Sequence, residues 1–151
     1  MKTLDEIKKE HGKIEQYMKE IEVIMSAEPI NYPNLIHTFN ELTEFWDKHE
    51  EKEEKLFELL NEEGFNIPIE KIKFEHGELR KHQNAIKDGM SSGSEFKLKE
   101  SLENNGKEMI KKIRTHINFE DEFIYTIPIS QFKESTITKL ETLKLQRQLI
   151  F

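Results

Sequence analysis

Apolar residues recur along this chain at alternating steps of three and four, the spacing of side chains that face the axis of a helical bundle. One stripe runs Leu4, Ile7, His11, Ile14, Met18, Ile21, Met25. A second runs Leu35, Phe39, Leu42, Trp46, His49, Glu53, Leu56, Leu60, and a third Ile69, Ile72, His76, Leu79, Gln83, Ile86, Met90. The fourth is Leu102, Gly106, Met109, Ile113, His116, Glu120, Phe123, Ile127. Each stripe is apolar except for a histidine or a histidine–glutamate pair, with Gln83 and Gly106 the other departures.

Start and stop signals frame the same four helices. Thr3 with Glu6 reads as a capping box for the first, which runs to about Met25 and is broken by SAEPINYP. The second starts near Pro33 and stops before Gly64; Pro68 suits the first residue of the third, which ends near Asp88 and Gly89. After GMSSGS the fourth spans about Glu95 to Tyr125 and is closed by Pro128, with ENNG at Glu103 to Gly106 as a turn that would shorten it. TITKLETLKLQRQLIF predicts a short fifth helix. Short links make neighbours antiparallel, so the expected fold is all-α: an up-down-up-down four-helix bundle over residues 3–127 with a helical extension over 130–151, in a single domain spanning 1–151. In that extension Ile137, Leu140, Leu143 and Leu149 form an apolar side suited to covering the bundle, with contact to a second copy of the chain, a homodimer, as the alternative.

Composition narrows the function. Of 151 residues 35% are apolar and 35% charged, which suits amphipathic helices around a narrow core. Thirty acidic against 23 basic residues give a net charge of −7, and no basic cluster is free of interleaved glutamate, which argues against a nucleic-acid partner. Apolar runs are too short for a membrane span and the charged N-terminus has no signal-peptide core, so a cytoplasmic location is expected. There is no cysteine, which removes disulfides, iron–sulfur clusters, thiolate zinc sites and cysteine nucleophiles. A metal here must be held by His, Asp or Glu.

The inward polar residues share a height. His11 lies ~10 Å beyond Leu4 and His76 ~12 Å beyond Pro68, while on the descending helices His49 and Glu53 lie ~12 to 18 Å before Asn61 and His116 and Glu120 ~8 to 14 Å before Tyr125. Antiparallel alternation brings all six to one layer. Burying them uncompensated would cost several kcal/mol per charge out of a typical stability of roughly 5 to 15 kcal/mol. Metal removes that penalty, and four imidazoles with two carboxylates are too many ligands for one ion and natural for two. Glu50, Glu51 and Glu54 read as a solvated acidic face, His37 as a surface residue, and Trp46 as core packing with a role in shaping a small-ligand pocket as the alternative. Gly106 is either a helix start or an opening toward the metals.

In order and spacing, His11, then His49 and Glu53, then His76 within EHGELR, then His116 and Glu120 within HINFEDEFIYTIP resemble the hemerythrin-like, or HHE cation-binding, family. The resemblance implies an oxo- or hydroxo-bridged non-haem centre of two iron ions, with manganese or zinc as substitutes. One ion would take His11 and His49, the other His76 and His116, and Glu53 and Glu120 would bridge. Asp121 is the rival bridge, but five residues turn a helix ~140° from His116 whereas four leave ~40°. Arg80 stands where oxygen carriers of the family place a fifth histidine, and His82, ~240° around the helix from His76, cannot replace it. Arg80 would then pair with Glu75 or Glu78. The site so resembles the more symmetric four-His, two-Glu variety. The implied function is binding or sensing of a diatomic ligand, O2 or NO, or of iron and redox state. A di-iron enzyme of NO or peroxide reduction or of iron donation for cluster repair is one alternative, and a structural bundle with an unused site is another.

Overall fold

The computed structural model describes residues 2–126, and within them four antiparallel helical rods form the expected all-α bundle with no strand. α1 is Lys2–Ser26, α2 Tyr32–Glu62 and α3 Ile69–Ser91. The fourth rod is composite: α4, Glu95–Ser101, passes through a π-helical turn, Leu102–Gly106, into α5, Lys107–Thr126. Packing runs α1 to α2 to α3 to α5 and back to α1, so the rods occupy the corners of a square. The predicted extension over 130–151 lies outside the described residues.

Local chemistry explains most boundaries. Asn31 caps α2 by accepting a hydrogen bond from the Asn34 amide, and Pro33 occupies the first turn, where its missing N–H costs nothing. Gly64, at φ +97°, ends α2: the Phe65 amide donates to the Leu60 carbonyl and the Gly64 amide to that of Asn61, the paired bonds of a Schellman ending that needs a left-handed residue. Ser94 caps α4.

Three expectations shift. α1 is already helical at Lys2, so Thr3 falls inside its first turn rather than at a cap. α3 continues past Gly89 to Ser91 because the glycine serves packing: a Cβ there would sit 2.8 Å from the Ser101 Cβ and 3.3 Å from the Lys97 carbonyl of the crossing α4. ENNG does not shorten the fourth rod. It forms the π turn, in which Gly106 packs near Leu102 and Met25, far along the bundle from the polar layer, so it neither starts a helix nor opens toward the metals.

The stripes face inward as the periodicity requires, and the polar layer divides the core. On one side lies the larger cluster of Ile14, Met18, Phe39, Trp46, Leu79, Ile113 and their neighbours; on the other lies a smaller one of Leu4, Ile7, Leu56, Phe57, Leu60, Ile67 and Ile72. Each imidazole therefore has apolar layers above and below, which fix its height and exclude water from it.

Candidate metal centre

His11, His49, Glu53, His76, His116 and Glu120 all meet in this layer, each no more than 3% exposed. Two groups of four have ligand atoms within 4.8 Å of one another: His11, His49, Glu53, Glu120, and Glu53, His76, His116, Glu120. Both carboxylates belong to both groups. Glu53 Oε2 lies 3.1 Å from His11 Nε2 and 3.0 Å from His49 Nε2, while its Oε1 is 3.4 Å from His76 Nε2. Glu120 lies along the α5–α1 edge, 3.4 Å from His11 Nε2 and 3.1 Å from His116 Nε2. Asp121 is displaced from the centre, 43% exposed, and meets the outer nitrogen of His11.

That outer contact is one of a ring that the periodicity did not reveal. Every Nδ1 is engaged by a carboxylate from the adjacent rod: His49 by Glu10 at 2.8 Å, His76 by Glu54 at 3.2 Å, His116 by Glu75 at 2.6 Å and His11 by Asp121 at 2.7 Å. The donors of these carboxylates follow the square, α1 to α2, α2 to α3, α3 to α5, α5 to α1. Each is the immediate sequence neighbour of an inward residue: Glu10 beside His11, Glu54 beside Glu53, Glu75 beside His76, Asp121 beside Glu120. One residue further on is ~100° around the helix, which turns the carboxylate from the axis toward the next rod. An acidic residue beside one ligand-type residue on each helix was the available signal. Such outer carboxylates fix the tautomer: Nδ1–H donates outward and Nε2 is left as the inward donor atom to a cation.

The expected solvated face is corrected in part. Glu51 is exposed and pairs with Lys55, but Glu50 is buried, accepting from Trp46 Nε1 at 2.9 Å and from the Arg80 guanidinium at 2.6 Å, and Glu54 holds His76. α2 touches two neighbouring rods, so its buried arc is wider than a single stripe. Arg80 accordingly pairs with Glu50 across the α2–α3 interface rather than with Glu75 or Glu78, which turn toward α5. His82 donates to Asn105 in the π turn, and His37 is exposed on Glu41. Trp46 is fully buried and its ring lies 5.6 to 6.1 Å from the rings of His49, His76 and His116, closing the layer on the large-core side. Replacing Glu50 with Ala should strand the buried Trp46 N–H and cost about 1–3 kcal/mol in urea unfolding, with Glu50→Gln recovering most of it. An unchanged midpoint in the alanine variant would refute that role.

Charge within the layer is self-compensating. Burial pushes His11 down, but Glu120 and Glu53 outweigh it and raise the imidazole to about 10. His49 is raised to about 9 by Glu53 and Glu10 against the same burial, and His116 to about 9 by Glu120 and Glu75. His76 also moves up, burial being outweighed chiefly by Glu53. Glu53 in turn is held well below the usual carboxylate range, its burial overcome by His49, His11 and His76.

The donor set fits metal. Four buried atoms of the layer make no hydrogen bond, His49 Nε2, Glu53 Oε1 and both carboxylate oxygens of Glu120, and His76 Nε2 faces His116 Nε2 at 3.1 Å. Buried polar atoms are normally satisfied, and two neutral imidazole lone pairs that face each other are reconciled by a shared cation or by protons. Nitrogen and carboxylate donors without sulfur suit iron or manganese and accept zinc.

The model of the hemerythrin HHE cation-binding domain matches residues 2–127. The chain belongs to that family. No curated protein and no solved structure matches it at a significant level. Membership of the hemerythrin family implies cation binding, and the two groups of this hemerythrin domain that share Glu53 and Glu120 are where its residues could hold metal. No helix among the described residues is long and apolar enough to cross a membrane.

Proposed function

We propose that this hemerythrin-family protein holds a pair of iron ions and uses them to bind or sense an uncharged diatomic molecule, O2 or NO. His11 and His49 would serve one ion, His76 and His116 the other, with Glu53 and Glu120 common to both. The observation that carries this reading is the sharing of both buried carboxylates between the two ligand groups. A lone cation needs no such sharing, and a structural polar layer needs no inward Nε2 atoms or unsatisfied oxygens. Iron in such a site supplies accessible redox states and an exchangeable coordination position.

The protein's own part is to orient and isolate. The outer carboxylates lock the imidazoles, and Trp46 and the two apolar clusters exclude water. Arg80, with its guanidinium on Glu50, contributes no further metal donor.

Elemental analysis and absorption spectroscopy of protein from iron-supplemented cells test this, before and after reduction and exposure to each gas. About two irons per chain, with bands that respond to O2 or NO, are expected from the paired donor groups. Absence of transition metal after reconstitution would sink the metal reading. Full metal occupancy with no response to either gas would sink the ligand reading alone.

A further inference from the structure

A cavity of about 410 Å³ lies between α3 and α5, and its floor is His116. Phe74 stands at its mouth, 67% exposed; Leu79 forms its inner wall, Thr115 its α5 side, and Glu75 and Glu78 the α3 rim. The rim carries both signs: Glu108 and Lys111 line it on the α5 side, Glu78 lies 3.9 Å from Lys112, and Glu75 lies 3.9 Å from Lys71 and meets His116. The surface between these charges is largely apolar, with the Phe74 ring and Leu79 its main carbon walls. Leu79 belongs to the same buried cluster as Trp46, and the Trp46 ring lies 6.1 Å from that of His116. The cavity therefore ends against the outer side of the polar layer, with the His116 ring as the last wall.

We propose that this α3–α5 cleft is the entrance through which a small uncharged molecule of the O2 or NO class reaches the His76/His116 half of the centre. The proposal rests on the diatomic-ligand reading above and adds the route. Three features favour a neutral diatomic over a hydrated ion. Apolar walls offer an ion nothing in exchange for its water. A rim of mixed sign, Glu75, Glu78 and Glu108 against Lys111 and Lys112, leaves little net field to draw one in. His116 is 1% exposed, so no standing aqueous channel crosses the last wall, and passage relies on side-chain motion beside Leu79, which a diatomic molecule needs least of.

Trp46, the sole tryptophan, reports arrivals at the layer without any metal chemistry. The experiment is quenching of the Trp46 fluorescence lifetime by dissolved O2 in the full-length protein loaded with zinc, which is redox-silent. Thr115→Phe and Glu78→Phe fill the cleft from its two sides at positions that are not metal donors; Ala27→Phe fills the groove beside the α1–α2 link, which meets the cleft only at Lys111 and Thr115, and is the control. The expected result is a several-fold fall in the bimolecular quenching constant in each cleft variant and none in the control. In the iron-loaded protein the same two variants should slow NO association and dissociation by a common factor, leaving the equilibrium affinity and the spectrum unchanged. Quenching equal to that of the unaltered protein in both cleft variants would overturn the route. If the unaltered iron protein binds neither gas, the functional reading fails, while the quenching comparison still decides the route.

Discussion

Glu53→Ala should leave the protein unable to retain either metal ion and should lower the stability of its metal-free form by about 3–5 kcal/mol, the range for breaking a buried charge pair from one side. Glu53 is fully buried and approaches three of the four inward Nε2 atoms, those of His11, His49 and His76. It is common to both donor groups, so its loss weakens both at once, whereas loss of one histidine weakens only one. In the metal-free protein it also helps, with Glu120 and Glu10, to keep His11 and His49 above their ordinary pKa, so its removal strands positive charge in the core. Metal content by elemental analysis and unfolding by urea check the two parts separately. Normal metal content in the alanine variant would refute the shared-ligand role. Glu53→Gln, which keeps the shape and loses the charge, should retain more stability than the alanine variant while still binding metal poorly.

The second large effect is an exchange of protons for metal. His11, His49 and His116 are raised to about 9 or 10 by the carboxylates around them, and a raised histidine stabilises the folded state fully below its unfolded pKa, here 6.5. That contribution is lost as pH climbs through 9 and 10. Glu53, lowered well below 4.5, acts in the opposite sense and withdraws its contribution in acid. Metal-free protein should thus be most stable between these limits and lose stability from neutral pH upward. Metal takes the place of the Nε2 protons, so its affinity rises with pH, and the loaded form should hold its melting temperature where the stripped form declines. At free metal a thousand times the dissociation constant the gain is about 4 kcal/mol. Melting curves of both forms from acid to alkaline pH check this: the gap should widen with pH and close in acid. A gap independent of pH would mean that no protons leave the site on loading.

Much of this was legible in the primary structure because helical periodicity constrains direction and height together. His11, His49, His76 and His116 could be placed in one layer by counting along antiparallel helices, since each helix advances a fixed rise per residue. The preference for Glu120 over Asp121 on the inward face was a matter of angle, and the fold places them so: Glu120 fully buried, Asp121 on the outer side of His11. Glu50 was misread because a stripe written for one axis ignores the second neighbour of a corner helix. ENNG was ambiguous because Asn and Gly disfavour an α-helix without specifying what replaces it, and the π turn depends on packing against Met25 and its surroundings.

By itself, then, the chain determined which residues face the axis, which boundaries end the helices and which donor types a metal would meet, all consequences of short-range geometry. The order of rods around the square was a tertiary matter. It decided that Glu10 serves His49 rather than His11 beside it, that Arg80 meets Glu50, and that the α3–α5 seam opens above His116. The two side-chain pairings join residues 39 and 30 positions apart. They arise only when the burial of four apolar stripes has chosen each helix's neighbours, because a side chain turned ~100° from the axis has no partner until the next helix is in place.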